Sequence, residues 1–448
     1  MSKTLNPAKE PHGQWITLLL LALLYGLSVA DRLLMSIFIE PIKAEFHLSD
    51  ANVGFLTGAV FAIFFVGASV PLGILSDRGS RRNLVAMAAA LFSVATSLAG
   101  IAKSYWLLLV SRMCVGVGEA GFIPTSVAML ADRFVPARRP TVMSLYALGG
   151  TLGAWAGISG AGYLESRYSW RTTMLVFGAI GVPIMLLIML LVKEPGRASL
   201  DGRAEKAAEE GASFSAVLRM CRTQKSVLHT LIAANVISFW VWGLVWWAPA
   251  LLQRSFGITT GEAGALIGPI HGVVGTISVL AASALLIPLG KGDPRKPLWF
   301  LAIFGVATAL PSIYALFAQT LRATVAMIWL FLPMAYVFIG PVFALISSGV
   351  PQNMRGQASA LLVATTNFST LAVAPVAVGV LSDLLGPHLV KSADSLRWAL
   401  LPLALSGFWA IAHLLIAGRY IQSDLARLES IHGNFNTANF RARLGLRA

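Results

Sequence analysis

The sequence predicts an all-α membrane protein of twelve transmembrane helices, arranged as two six-helix halves that repeat one another. Three observations lead to this fold class. The 448 residues are 56% hydrophobic and only 12% charged, whereas soluble globular proteins carry about 25% charged residues. Twelve apolar runs are long enough to cross a bilayer, which takes about 20 residues in a helix. Two pairs of short motifs also recur at nearly the same separation along the chain.

The apolar runs define the predicted spans. Long hydrophobic stretches joined by short polar loops favour helices over a transmembrane barrel, whose strands alternate polar and apolar residues. The polar first residues lack the form of a cleavable signal peptide, so we interpret the first apolar run as a span. The predicted spans lie near residues 15–39, 52–74, 84–102, 104–131, 141–164, 171–192, 228–252, 262–289, 297–318, 323–349, 357–381 and 397–418.

The distribution of lysine and arginine predicts the orientation. With the N-terminus inside, cytoplasmic segments hold 24 of the 34 Lys and Arg residues and the outer loops hold eight. Basic residues accumulate in the cytoplasmic loops of membrane proteins, so we expect both termini to be cytoplasmic. The same rule accounts for the net charge of +14 without a nucleic-acid partner. Short loops favour a multi-pass protein of a prokaryotic plasma (inner) membrane.

Polar segments divide the chain into five predicted parts. The longest internal segment has mixed charge and a high Gly/Ala content, which favour a linker with a short surface helix. We expect another short surface helix at the start of the basic C-terminal tail. The predicted parts are a cytoplasmic N-terminus at 1–14, a six-helix bundle at 15–192, the cytoplasmic linker at 193–227, a second six-helix bundle at 228–418 and a cytoplasmic tail at 419–448.

The two halves carry corresponding motifs. PLGILSDRGSRR at 71–82 aligns with PLGKGDPRK at 288–296, and FVPARRPTVMSL at 134–145 aligns with GVPQNMRGQASALL at 349–362. Both pairs are about 216 residues apart, and a shared register is far less expected by chance than either match alone. Parallel six-span repeats with a substrate site at the membrane midplane are typical of the major facilitator superfamily.

Local motifs also resemble that superfamily. The inner loop GILSDRGSRR resembles its G-x-x-x-D-R-x-G-R-R signature, with Ser80 in place of the second glycine. Arg112 with Gly116 and Gly118 resembles the fourth-span R-x-x-x-G-x-G signature. We interpret the inner loop as a gate in which the acid caps a neighbouring helix N-terminus. An orientation signal alone is the alternative for its last two arginines. The candidate gating residues are Gly73, Asp77, Arg78, Arg81 and Arg82.

Further motifs resemble the spinster branch of the superfamily. They are the Asp31–Arg32 pair in the first span, GVGEAGFIPT with Glu119 in the fourth, RRPTVMSLYALG entering the fifth, and GLVWWAPALLQRSFG closing the seventh. Spinster-like proteins are associated with lysophospholipids or sphingosine phosphate, with protons implicated in coupling. The resemblance therefore implies an amphipathic, lysolipid-like or sphingoid-phosphate-like substrate.

Four charged residues lie within predicted spans of the first half. A charge at mid-membrane is costly, so such residues face a bundle interior and mark functional sites. Arg112 and Glu119 lie two turns apart on nearly the same face of the fourth span. At a rise of about 1.5 Å per residue, Asp31, Arg32 and Arg112 are expected at similar depth, with Glu119 about two turns further in.

These charges predict a proton-coupled switch. Asp31 and Glu119 take up and release protons, while Arg32 and Arg112 pair alternately with them and with an anionic substrate group, such as a phosphate. Rocking of one half against the other then couples protonation to transport. The alternative is a static network of buried salt bridges that fixes helix packing. The sequence leaves open which of the two acids titrates.

The second half predicts an apolar cavity wall, because its spans carry almost no charge. Its candidate substrate contacts are Asn235, Trp246, Tyr336 and Asn367. Interhelical hydrogen bonding is the alternative for the two asparagines and the tyrosine, and an interfacial aromatic belt is the alternative for the tryptophan. One charged wall and one apolar wall suit an amphipathic substrate better than a sugar.

The sequence therefore predicts a secondary active, proton-coupled transporter with rocker-switch alternating access. The alternative is a proton-coupled symporter of a small organic anion, since such symporters share the Asp-Arg pair. No phosphate-binding loop, metal-ligand spacing or G-x-S-x-G nucleophile elbow is present in the sequence. We expect no enzyme activity, catalytic residue, metal or cofactor. We expect a monomer whose partners are the lipid bilayer, the substrate and protons.

Overall fold

The computed structural model describes residues 13–135, 138–194, 214–290, 293–391 and 394–431, and these ranges contain helices but no β-strand. Eleven helices in them are long and apolar enough to cross a membrane. A further helix, Arg139–Arg167, has 29 residues and a glycine-rich sequence. The predicted all-α, twelve-helix architecture is confirmed. The helices are α1 Gly13–Ile37, α2 Asp50–Ser76, α3 Arg81–Gly100, α4 Tyr105–Arg133, α5 Arg139–Arg167, α6 Trp170–Leu191, α7 Lys225–Phe256, α8 Thr260–Leu286, α9 Lys296–Phe317, α10 Leu321–Ser348, α11 Arg355–His388 and α12 Ser395–Ile431.

Several helices begin at side chains that cap their free backbone N–H groups. The Ser80 and Ser104 hydroxyls accept hydrogen bonds from the third residue beyond them, at the starts of α3 and α4. Thr259 and Glu262 form a reciprocal capping box at the start of α8. Such caps satisfy donors that have no partner inside the helix. Ser80, which replaces a glycine of the inner-loop signature, is therefore the residue that starts α3.

Four helices contain a π-helical segment, and one is broken. The π segments are Phe55–Ala59 in α2, Ser238–Trp242 in α7, Ile270–Val274 in α8 and Phe368–Val373 in α11. Helix α10 is interrupted between Phe331 and Met334 and again at Phe338. Short π segments widen a turn and occur frequently at functional sites. Nothing in the apolar pattern of the sequence predicts them.

The first of two compact units comprises Met1–Arg32, Phe64–Gly157 and Arg171–Gly196. Within it, α1 and α5 approach so closely that only glycine fits at the contact. A Cβ atom at Gly153 would lie 2.1 Å from the Gly26 carbonyl oxygen. Small residues allow membrane helices to pack backbone against backbone. The four charged residues predicted within spans all belong to this unit.

The second unit comprises Leu33–Ile63, Ile158–Trp170 and Arg197–Ala448. The start of α2 packs on α11 within this unit, where a Cβ atom at Gly54 would lie 2.3 Å from the Pro375 carbonyl oxygen. Trp240 and Trp247 are fully buried in its core. The division of the chain into halves at 15–192 and 228–418 stays a prediction.

The segments outside the spans differ in part from expectation. The linker contains the expected short helix at Phe214–Thr223, with Val217 and Cys221 buried. Helix α12 has 37 residues and does not end near residue 418 but continues to Ile431, because no glycine or proline follows Gly418 in this stretch. The expected separate surface helix of the tail is therefore part of α12. Residues 1–12, 195–213 and 432–448 of the predicted termini and linker lie outside the described ranges.

Candidate functional site

The first buried ion pair joins α1 to α4. Arg112 Nη1 donates a hydrogen bond to Asp31 Oδ2 at 2.9 Å, and the Thr96 hydroxyl of α3 donates to Asp31 Oδ1 at 2.5 Å. All three side chains are buried. Each oxygen of the Asp31 carboxylate therefore has a donor, and one of the donors is charged.

The second ion pair is formed by the neighbouring residue of α1. Arg32 Nε donates to Glu119 Oε2 at 2.5 Å. Glu119 is fully buried, whereas 17% of the Arg32 side chain is exposed. The Phe65 ring of α2 lies under the guanidinium, 5.4 Å from its carbon, an arrangement that attracts a cation to the ring face.

The two pairs form because adjacent residues of a helix point about 100° apart. Asp31 therefore contacts Arg112, while Arg32 points towards Glu119. The sequence predicted Glu119 about two turns further in, and the structure nevertheless brings the Arg32 guanidinium into contact with it. All four charged candidates meet in one cluster, in two separate pairs.

The two acids differ in their hydrogen bonding. Both oxygens of Asp31 accept hydrogen bonds. Glu119 Oε2 accepts from Arg32, but Glu119 Oε1 has no hydrogen-bond partner among the described residues. Leaving a buried acceptor without a donor costs about 1–3 kcal/mol, and the Ser28 hydroxyl of α1 is the neighbouring group that can donate to the Glu119 carboxylate.

The predicted gating loop is tied to its own unit by an acid that the sequence did not indicate. Glu194, just after α6, accepts hydrogen bonds from the Ser80 hydroxyl at 2.6 Å and from the backbone N–H groups of Arg81 and Arg82 at 2.9 and 3.0 Å. Arg81 also forms an ion pair with Asp132 at the end of α4. Glu194 therefore caps the N-terminus of α3.

These bonds perturb the titration of Glu194. Partial burial works to raise the pKa of its carboxyl group, but the hydrogen bonds from Ser80, Arg81 and Arg82 outweigh burial and hold the pKa below its ordinary value of 4.5. A capping carboxylate at a helix N-terminus is also favoured by the helix dipole.

The other gating candidates have different surroundings. Gly73 lies within α2, where an added Cβ atom would meet nothing within 4 Å. Arg78 is exposed and is the last residue of the helical run that continues beyond Ser76. The side chain of Asp77 lies outside the described part of the chain, so its predicted capping role stays a prediction.

Asn235 links two helices of the second unit. Its Nδ2 donates to the Thr365 hydroxyl at 3.1 Å, and its Oδ1 accepts from the Ser369 hydroxyl at 2.9 Å. The same three side chains line a cavity of about 520 Å³ between α7, α11, α12 and the linker helix. Asn235 therefore bridges helices and lines a cavity at the same time, whereas Asn367 is not among the lining residues. The rest of the lining is apolar: Leu218, Leu231, Ile232, Val236, Phe239, Leu361 and Trp409.

Trp246 and Tyr336 lie in different surroundings of the second unit. Trp246 is buried, and its indole N–H donates to the Thr57 hydroxyl at 3.2 Å. Tyr336 is half-buried and its hydroxyl lies 3.0 Å from His271 Nδ1. The Trp242 ring contacts the Tyr336 ring edge-on, at 5.8 Å between centroids.

A charge cluster of the second unit was missed by the sequence reasoning. Arg254 of α7 binds the Asp50 carboxylate with two parallel hydrogen bonds of 2.7 Å and donates to Glu40 at 2.8 Å. Asp50 also pairs with Lys43 and accepts from the Ser382 hydroxyl. We call these residues the outer cluster, because they lie at the helix ends predicted to be extracellular.

The outer cluster also fixes the start of α2. The Asp383 carboxylate accepts from the backbone N–H groups of Asp50 and Ala51 at 2.9 and 2.8 Å. In sequence, Asp50 is 204 residues from Arg254 and 333 residues from Asp383. The available signal was the presence of charges at predicted outer helix ends, where few basic residues are expected.

Comparisons with known proteins extend over nearly the whole chain. The family profile described as Major Facilitator Superfamily matches residues 21–375. An MFS-type efflux pump of Mycolicibacterium smegmatis is 30% identical over 414 residues, which cover 92% of this chain and 94% of that protein. Protein spinster homolog 1 of Xenopus tropicalis is 26% identical over 427 residues, covering 90% of this chain and 80% of that protein. The crystal structure of a bacterial homolog of the human lysosomal transporter Spinster, inward-facing and unoccupied, matches with a TM-score of 0.81 at 22% identity, covering 93% of this chain and 99% of that one.

Proposed function

Because this chain belongs to the Major Facilitator Superfamily and is a transporter of the spinster type, we propose that it is a secondary active, proton-coupled carrier of a lysolipid-like or sphingoid-phosphate-like substrate. Its relatives are transporters and not enzymes. The observation that carries the proposal is the ion pair of Arg32 and Glu119, in which the acid is fully buried and the arginine is partly exposed.

We propose Glu119 as the group that takes up the proton. A proton on Glu119 Oε1 gives that oxygen a hydrogen to donate and removes the negative charge opposite Arg32. Asp31 is less suited to this role, because a proton on it would displace Arg112 or Thr96 from an oxygen they already use. In this proposal Asp31 and Arg112 hold the cluster together while Glu119 titrates.

Arg32 is the proposed contact for an anionic substrate group. Its side chain is partly exposed, and its fork of N–H donors suits a phosphate. An arginine that is released from Glu119 by protonation becomes available to such a group. Arg112 is fully buried against Asp31 and is proposed to act on the substrate only through that pair.

The apolar cavity supports the lipid part of the proposal. Its volume of about 520 Å³ lies in the range of small-molecule sites, about 300–1,000 Å³. The lining is apolar apart from Asn235, Thr365 and Ser369. This composition suits a hydrocarbon chain with a polar group at one end better than a sugar. Tyr336 is proposed as a further contact because the residue is only half-buried, whereas buried Trp246 is proposed to shape the second unit.

We propose that alternating access uses the inner loop as a gate. The bonds of Glu194 and Asp132 to Ser80, Arg81 and Arg82 support a rigid block at the inner ends of α3, α4 and α6. The remaining parts of the proposal are cytoplasmic termini, a plasma (inner) membrane location, a monomer, and transport without cofactor or metal.

Transport by purified protein in proteoliposomes under an imposed pH gradient tests this function. The probes are radiolabelled lysophosphatidylcholine, sphingosine phosphate and a panel of small organic anions. We expect the gradient to drive accumulation of one of the two lipids. Glu119→Gln should abolish this dependence on the gradient but retain lipid binding. The matched control is Glu262→Gln, since glutamine can keep the capping box at that exposed position.

Two outcomes contradict the proposal in different ways. Gradient-driven accumulation of an organic anion but of neither lipid replaces the lipid assignment with the organic-anion symporter. If accumulation still depends on the pH gradient in Glu119→Gln but no longer does so in Asp31→Asn, the proton role belongs to Asp31.

A further inference from the structure

A strip of aromatic and basic side chains joins the apolar cavity of the second unit to the predicted cytoplasmic ends of α7 and α12. Trp409 of α12 lines the cavity, and its ring contacts the His413 ring edge-on, at 5.8 Å between centroids. His413 Nδ1 lies 2.7 Å from Nδ1 of His229 on α7. The histidine pair is therefore contiguous with the cavity.

The strip continues beyond the histidine pair to the start of α7. The His229 ring stacks on the Tyr420 ring, at 6.5 Å between centroids and 11° between planes. Lys225 Nζ lies 4.7 Å from the centroid of the same tyrosine ring, about 15 Å along α7 from the cavity residue Asn235. We call these side chains the inner strip: Lys225, His229, Trp409, His413 and Tyr420.

The inner strip presents N–H donors that have no acceptor among the described residues. A hydrogen bond between two Nδ1 atoms needs a proton on one of them, so the accepting imidazole carries its own proton on Nε2. Neither Nε2 atom is hydrogen-bonded to a described residue. Lys225 is exposed and forms no ion pair in the described ranges. One ammonium group and at least one imidazole N–H are therefore available to a ligand that accepts hydrogen bonds.

The charges around the inner strip favour an anion. Arg222 and Arg419, each within three residues of the strip in sequence, are exposed. The acid Asp424 is buried, and its carboxylate accepts from the backbone N–H of Ser226 at 2.7 Å, so its charge is directed to the start of α7. Basic residues at this end also follow from the positive-inside rule, but that rule does not predict a half-buried histidine pair contiguous with an apolar cavity.

We propose that the inner strip and the cavity together bind a single-chain lipid whose head group is a phosphate monoester. The hydrocarbon chain lies in the cavity between α7, α11, α12 and the linker helix, and the phosphate accepts hydrogen bonds from Lys225 and from the histidine pair. A phosphate monoester has three acceptor oxygens, which suits donors that come from two different helices. The inference rests on the proposed lipid transport and adds a head-group site in the second unit to Arg32 of the first unit.

Equilibrium binding to the purified full chain in detergent tests the site. The probes are lysophosphatidate, the neutral monoacylglycerol with the same acyl chain, and the corresponding fatty acid. The variants are Lys225→Gln and the double variant His229→Phe, His413→Phe, which keeps two rings in contact and leaves no imidazole nitrogen without its partner. The matched control is Lys193→Gln, which removes an exposed lysine at a predicted cytoplasmic end of the first unit. A melting curve of each variant checks that it folds.

We expect lysophosphatidate to bind the wild type about tenfold more tightly than monoacylglycerol, because only its head group accepts charge-assisted hydrogen bonds. Lys225→Gln and the double histidine variant should each weaken lysophosphatidate binding about fivefold, the size expected for one basic residue near an anionic head group. Monoacylglycerol binding should stay equal to wild type, because the cavity is unchanged. Ile232→Trp, which narrows the cavity, should weaken both lipids. A purely structural role of the inner strip would lower the binding of charged and neutral lipid together.

The outcomes separate the site from the function. If lysophosphatidate and monoacylglycerol bind equally, or if Lys225→Gln weakens both to the same extent, the head-group site is overturned, whereas lipid accumulation in proteoliposomes still decides the proposed function. Tighter binding of the fatty acid than of lysophosphatidate overturns the phosphate assignment. If the wild type neither binds nor accumulates any of these lipids, the proposed function fails, and the site fails with it.

Discussion

Arg254→Gln should destabilise the protein by about 3 kcal/mol. Arg254 is the centre of the outer cluster, with charge-assisted hydrogen bonds to both Asp50 and Glu40. Removing one partner of a buried ion pair costs about 3–5 kcal/mol, because the other partner keeps its desolvation penalty. The low end of this range applies here, because Lys43 still forms an ion pair with Asp50 and the Ser382 hydroxyl still donates to it. In addition, 26% of the Glu40 side chain is exposed.

The assay is reversible unfolding by sodium dodecyl sulfate in mixed micelles, followed by tryptophan fluorescence. The matched control is Arg322→Gln, which removes an exposed arginine at the start of α10 that has no ion pair in the described ranges. We expect the control to change the free energy of unfolding by no more than about 0.5 kcal/mol. A double-mutant cycle of Arg254→Gln with Asp50→Asn should give a coupling energy of about 2 kcal/mol.

A loss below about 1 kcal/mol for Arg254→Gln, or single effects that add within about 0.5 kcal/mol, would refute this reasoning. Either result means that the two side chains do not share a desolvated pair. The outer cluster would then be a solvated surface network, for which the typical contribution is about 0–1 kcal/mol.

Three further predictions concern stability. Glu194→Ala leaves the Ser80 cap of α3 but removes the hydrogen bonds of Glu194 to Ser80, Arg81 and Arg82, and it should lower the melting temperature at pH 7. Since the pKa of Glu194 is below 4.5 in the folded protein, its contribution is full above pH 4.5 and is lost as the pH falls through the folded pKa, so a gap between variant and wild type that does not narrow as the pH falls below 4.5 contradicts it. Gly153→Ala forces a methyl group against the Gly26 carbonyl and should cost about 1–3 kcal/mol. Gly67→Ala, which meets nothing within 4 Å, is its control, and equal melting curves for the two variants would refute the close contact. Asn235→Ala removes the link to Thr365 and Ser369 and should cost about 1 kcal/mol in the same unfolding assay, so an unchanged midpoint argues against a bridging role.

Much of the fold follows from hydropathy, because a helix that crosses a bilayer must be apolar along about 20 residues. The same reasoning placed Asp31, Arg32, Arg112 and Glu119 inside a bundle, and the structure brings all four together. The pairing could not be predicted. It depends on how α1 and α4 are rotated about their axes, and span boundaries uncertain by a few residues do not fix a rotation of 100° per residue.

The outer cluster and the cap of the inner loop could not be predicted for a related reason. Asp50 and Arg254 are 204 residues apart, and each alone resembles an ordinary charge at a helix end. The expectation that Asp77 caps a helix came from a motif, whereas the acid that supports the Ser80 cap of α3 is Glu194, 112 residues or more from its partners. Long-range hydrogen bonds of this kind depend on helix packing that one sequence does not encode in any local pattern.

The two ion pairs determine whether proton binding and substrate binding favour or oppose each other. In the proposed mechanism Arg32 has two competing anionic partners, the Glu119 carboxylate and the substrate. A proton on Glu119 removes the first partner and favours the second, and an anion bound to Arg32 leaves Glu119 without its cation. By linkage each ligand must then favour the other by the same factor. Proton and anionic substrate are therefore expected to occupy the carrier together, and Arg112, held by Asp31 and Thr96, keeps the site in place while Arg32 exchanges partners.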